Sequence, residues 1–140
     1  MPSVPRNPNV VAAFVGVVAF VSRAGASWRL PLQDDEASSL MERSLRLLMI
    51  DDERFFNPPV WRAMTVGIAN WTDDLWLQRL PSCVLAALGC AWVARRAGAL
   101  GGRHCGLFAG LGLALSPWLV RQQGQLRSYG LAMLAACVVA

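Results

Sequence analysis

Apolar residues gather in four runs along this chain, Val10 to Val21, Leu75 to Val93, Cys105 to Val120 and Gly130 to Ala140, while polar residues concentrate between the first two. A helix that crosses a bilayer needs about twenty consecutive apolar residues. The pattern therefore predicts spans over 10–28, 75–96 and 104–120, and the start of a fourth over 129–140, which stops without a polar flank and so reads as the N-terminal part of a longer polytopic protein. Arg23 interrupts the first run and is expected to snorkel toward a membrane surface. Residues 6–26 also fit a cleavable signal peptide ending at Ala24-Gly25-Ala26, but Arg23 beside the cleavage site favours a retained anchor.

The intervening window, 29–74, is predicted as an outer loop carrying amphipathic surface helices. From Glu36 to Ile50, Ala37, Leu40, Met41, Leu45, Leu48 and Met49 share one face, with Glu42 and Arg46 paired on the other. Such a helix is too polar to cross and should lie in the headgroup region. A second helix is expected from Asn57, a good N-cap followed by Pro58 and Pro59, to about Trp71, with Val60, Trp61, Met64, Ile68 and Trp71 resting at the interface. Gly98 to Gly102 reads as a turn between the second and third spans. Gly106 and Gly110 form a G-x-x-x-G that permits close helix approach, and no Lys-Ser/Thr follows to make a phosphate loop. The fold class is all-α, a polytopic transmembrane bundle of three to four spans.

Composition sharpens this picture. Of 140 residues, 55% are hydrophobic and 16% charged, where a soluble domain carries roughly a quarter charged. A secreted soluble domain would have to bury residues 75–120 without lipid. Every one of the nine acidic residues falls between Asp34 and Asp74, and the net charge of +4 comes from thirteen Arg with no Lys, a bias that suggests a GC-rich bacterial genome. The arginines are scattered singly, which excludes a nucleic-acid stripe. Cys83, Cys90, Cys105 and Cys137 sit in apolar runs with no C-x-x-C, so neither a disulfide framework nor a cysteine metal site is expected. Arg95, Arg96 and Arg103 make the 95–103 turn the cytoplasmic side, and counting spans from it puts the N-terminus in the cytoplasm. The acidic window and the strip Arg121 to Tyr129 then share the outer face.

The order of motifs now becomes informative: Asp34-Asp35-Glu36 after the first span, then Asn57-Pro58-Pro59-Val60, then Arg79-Leu80-Pro81-Ser82, then a strip with Arg127 and Tyr129 after Ser116-Pro117. This resembles the N-terminal part of GT-C glycosyltransferases of family 39, the dolichyl-phosphate-mannose protein mannosyltransferases and bacterial lipid A aminoarabinose transferases. The resemblance implies transfer of a sugar from a polyprenyl-phosphate donor to a lipid or protein acceptor hydroxyl on the outer side of a bacterial inner membrane. It implies Asp35, with Glu36, as the catalytic acidic pair, Arg127 and more weakly Arg79 as donor-phosphate ligands, and Asp34, Asn57 and Tyr129 in support. The chemistry is coherent, because a hydroxyl attacks well only when a carboxylate takes its proton, and a departing phosphate needs a cation.

These residues also have plainer readings. Acids belong at any helix N-terminus, Arg127 and Arg79 can snorkel to anionic headgroups, and Tyr129 can anchor at the interface. Asn57 stands where most relatives of that family carry His, so this position cannot titrate. A second acidic cluster, Asp51-Asp52-Glu53, could join the first in an oxygen-rich Mg or Mn site, although no metal or other cofactor is expected on balance. The alternative function is a small non-catalytic membrane protein whose outer loop binds a partner or assembles a complex.

Overall fold

A computed structural model of the chain describes residues 7–31, 59–124 and 129–139. Among these there are five helices and no strand: α1 (Pro8–Arg29), α2 (Pro59–Ala69), α3 (Leu75–Ala114), α4 (Pro117–Gln123) and α5 (Tyr129–Val139). The surface helix expected over Glu36–Ile50 lies outside the described residues. Asn7 caps α1, its side chain accepting from the Asn9 N–H at 3.0 Å, and Pro8 supplies a first-turn residue that needs no N–H partner. Asp74 caps α3 in the same way through the Trp76 N–H at 2.8 Å.

α3 is one helix in name only. Gly102 takes φ 82, ψ 176, a left-handed conformation open to glycine and strained for other residues. The chain reverses there. A Cβ placed on Gly106 would stand 2.5 Å from the Ala94 carbonyl oxygen and 3.0 Å from Gly98 Cα, and one on Gly110 would stand 2.7 Å from Ala94 Cβ. A straight helix would separate Ala94 from Gly110 by about 24 Å, at about 1.5 Å per residue. The expected five-residue turn is thus a single-residue hinge, and the G-x-x-x-G pair lets the two arms, 75–101 and 103–114, pack closely, Gly106 against backbone and Gly110 against the Ala94 and Val15 side chains.

The span expected over 104–120 is also divided. Pro117 has no N–H and pushes Ser116 out of the helical region, to φ −58 and ψ 115, so the second arm ends at Ala114 and α4 starts afresh.

Contacts set the directions of the segments. Gly98 approaches Pro8, Gly16 faces Ala87 and Ala91, and the Trp76 indole donates to the Ala24 carbonyl at 3.1 Å, so α1 and the first arm are antiparallel. Gly110 meets Val15 and the Ser22 hydroxyl donates to the Ala114 carbonyl at 3.2 Å, so the second arm runs with α1. Gly130 abuts Ser82 and Ala86, and Gly89 abuts Met133, so α5 runs with the first arm. The order is up, down, up, down. Leu30, Trp76, Gly124 and Tyr129 therefore share one end of the bundle, and Pro8, Gly98 and Gly102 the other.

Pro8–Arg29 and Leu75–Ala114 are long and apolar enough to cross a membrane. Burial is inverted relative to a water-soluble bundle. Val10, Phe14, Val17, Val21 and Trp28 form the exposed face of α1, while Arg23 and Ser27 join Val11, Val15 and Ala19 inside. The core is mostly small: Ala19, Ala86, Ala87, Cys90, Ala94 and Ala114. Apolar side chains outward and polar ones inward is the arrangement a lipid solvent selects, and it suggests a membrane protein.

Candidate functional site

Two prolines create the polar interior. In an α-helix the carbonyl of residue i accepts from the N–H of residue i+4. Pro31 denies a donor to Ser27, and Pro117 denies one to Leu113. Unpaired carbonyls in a lipid-embedded bundle each cost several kcal/mol, roughly. Arginines from neighbouring helices supply the missing donors.

Arg23 is fully buried, which corrects the expectation that it snorkels to a surface. All five of its N–H donors are engaged. Nη2 donates to the Leu113 carbonyl at 3.2 Å and to Cys90 Sγ at 3.6 Å; Nη1 donates to the Ala114 and Ala19 carbonyls, both at 3.1 Å; Nε donates to Gln123 Oε1 at 2.7 Å. No carboxylate is among these partners. The positive charge sits against the negative end of the second arm's dipole, which is where a cation is favoured. Gln123 extends the cluster, with Nε2 2.8 Å from Met133 Sδ on α5.

Arg79, 1% exposed, does the same for α1. Its Nη1 donates to the Ser27 carbonyl at 2.7 Å and the Leu30 carbonyl at 2.8 Å, and Nη2 donates to the Pro31 carbonyl at 3.0 Å. The guanidinium named as a second phosphate ligand thus holds the main chain where it leaves α1, just ahead of Asp34. Trp28 and Trp76 close this end edge to face, with ring centroids 5.6 Å apart.

Of the other residues named from sequence, Tyr129 opens α5 at this same end and lines a groove. Asp34, Asp35, Glu36, Asn57 and Arg127 lie outside the described residues, as does the second acidic cluster. Among the described residues no group of His, Cys, Asp or Glu could hold a metal. Trp61, expected at the interface with Val60 and Trp71, is instead 1% exposed and its indole Nε1 has no partner, whereas Val60 and Trp71 are exposed. On α2 the inward face is Trp61, Thr65, Val66 and Ala69, an i, i+4 row with Val66 beside it that the apolar stripe did not separate from its neighbours.

The groove, about 660 Å³, lies between the first arm, α4 and α5. Its walls are apolar, from Trp92, Leu100, Leu113, Trp118, Met133 and Ala136; Arg96 stands toward one end, and Gln122 and Tyr129 toward the other. Sequence reasoning missed both the groove and the arginine clusters. The clusters left a trace, a proline four residues after a helical position together with an Arg inside an apolar run. The groove left none, because its walls come from three separate segments.

No family model, curated protein or solved structure matches the chain.

Proposed function

We propose that this chain is a membrane glycosyltransferase, or the N-terminal part of one, that moves a sugar from a polyprenyl-phosphate carrier to an acceptor hydroxyl on the extracytoplasmic face of a bacterial inner membrane, with the N-terminus in the cytoplasm. The order of the four motifs carries the reading. Support comes from the bundle, which gathers Leu30, Trp76, Gly124 and Tyr129 at one end, so that the segments bearing Asp35 and Arg127 both join the fold there.

In this mechanism the acceptor oxygen attacks the anomeric carbon as the bond from that carbon to the phosphate oxygen breaks. Asp35, with Glu36 beside it, takes the hydroxyl proton, and Arg127 holds the phosphate as its negative charge grows. Arg79 acts as a positioning residue, since it fixes the chain immediately before the acidic cluster. Replacing Asp35 by Asn in the complete protein is expected to abolish transfer of labelled mannose or aminoarabinose from its polyprenyl phosphate in membrane vesicles, with insertion intact. A fully active, normally inserted variant overturns the base assignment.

One observation favours the non-catalytic reading, in which the outer loop binds a partner: Arg79, offered as a phosphate ligand, is turned onto three main-chain carbonyls. Under that reading Asp35→Asn and Arg127→Gln leave no transfer to lose, and the wild-type vesicles themselves show none.

A further inference from the structure

No carboxylate follows Asp74 in the chain, yet Arg95, Arg96 and Arg103 are all exposed around the hairpin end. Arg96 lies about 33 Å along the helix from Asp74, at about 1.5 Å per residue. Among the described residues this end of the bundle carries arginines and no carboxylate, and of Arg95, Arg96 and Arg103 Arg96 alone lines the groove. From Leu100 the groove follows the first arm past Met133, which packs at the level of Gly89, to Tyr129, whose neighbour Gly130 abuts Ser82 and Ala86. That run is about 20 Å, at about 1.5 Å per residue, long enough to take an acyl chain from headgroup level into the hydrocarbon core. Its apolar walls match a hydrocarbon chain, and the cation at its rim matches a phosphate at headgroup level.

We infer that this groove is a binding site for an anionic phospholipid of the adjacent leaflet, one acyl chain lying against Trp92, Leu113, Met133 and Ala136 and the phosphate paired with Arg96. The guanidinium can meet two phosphate oxygens at once. A zwitterionic lipid offers the same chain but cancels the charge, so the site discriminates by headgroup. This goes beyond the transferase reading and does not depend on it, since the residues involved are not those assigned to sugar transfer.

Tryptophan quenching tests it directly, because Trp92 and Trp118 line the groove. The full chain is reconstituted in phosphatidylcholine vesicles containing a small fraction of dibrominated phosphatidylglycerol or, in parallel, dibrominated phosphatidylcholine. The quenching that disappears in a Trp92→Phe, Trp118→Phe double variant belongs to the groove. At these two positions the anionic lipid is expected to be favoured about fivefold, the effect of one arginine at a membrane surface. Arg96→Gln should bring that preference to near unity, and Arg95→Gln, outside the groove, should leave it in place. Both side chains are exposed, so folding is preserved. Ala136→Phe fills the groove and should reduce quenching by either lipid. Equal quenching by the two lipids in the wild type overturns the proposal. So does an identical loss in Arg95→Gln and Arg96→Gln, which would mean diffuse leaflet charge, or a groove closed to every brominated lipid because a second copy of the chain covers it.

Discussion

At the scale of single residues, the buried arginines invert the usual association of an intramembrane charge with substrate. Arg23 ends on three carbonyls, a thiol and an amide, and two of those carbonyls belong to the C-terminal turn of the second arm. Its contribution is that of a lateral cap. Replacing Arg23 by Met keeps much of the volume but orphans the Leu113 carbonyl and the Gln123 amide oxygen, while Ser22 still reaches the Ala114 carbonyl. Each buried group left unsatisfied costs about 1–3 kcal/mol. We expect Arg23→Met to destabilise the bundle by about 3 kcal/mol in detergent unfolding, and Arg23→Lys to recover only part, since an ammonium brings three donors where five are used. A Met variant as stable as wild type would show that the carbonyls find other partners. Pro31 and Pro117 stand in the sequence, but the span expected over 104–120 ran through Pro117, and that each proline leaves a carbonyl to be met by a particular arginine was not legible, because the donor comes from a different helix.

At the scale of elements, the hairpin depends on two different properties of glycine. Gly102 supplies a backbone angle, whereas Gly106 and Gly110 supply the absence of a side chain. Gly112, on the same arm, has nothing within 4 Å of where its Cβ would be. Gly106→Val should therefore force the arms apart and lower stability by about 1–3 kcal/mol or more, as overpacking does. Gly112→Ala should be neutral or stabilising by up to about 1 kcal/mol through helix propensity. Thermal unfolding of the two variants in one detergent checks the contrast, and equal effects would count against a close-packed hairpin. The G-x-x-x-G spacing announced this packing, and its partner face, Ala94 and Gly98, was visible as small residues in the preceding run. The length of the turn was misjudged because a cluster of Gly reads as a loop, while all but Gly102 remain helical. Likewise the third span was drawn through Pro117, where apolarity continues but the hydrogen-bond ladder does not.

At the scale of the whole molecule, the alternation of directions places Trp71 and Leu100, 82% and 89% exposed, toward opposite ends of the bundle. In a chain whose native cysteines are replaced by Ala, Trp71→Cys should react with an impermeant thiol reagent applied to intact cells. Leu100→Cys should react only after permeabilisation. Both reacting from outside would overturn the topology, and the reverse pattern would overturn the orientation drawn from Arg95, Arg96 and Arg103.

What the sequence determined by itself is the material of each segment: which stretches are apolar enough for lipid, in which window the acidic residues gather, and which glycines permit close helix approach. These follow from local chemistry, since transfer to hydrocarbon and backbone conformation depend on a residue and its near neighbours. The tertiary structure alone decided the fate of the polar groups within the apolar runs, placing Arg23 inside rather than at the surface, turning Arg79 onto the exit of α1 and bringing Arg96 to the rim of a groove. A hydrogen bond reaches about 3 Å and joins residues as far apart in sequence as Arg23 and Gln123. Such partners exist only once the helices have packed.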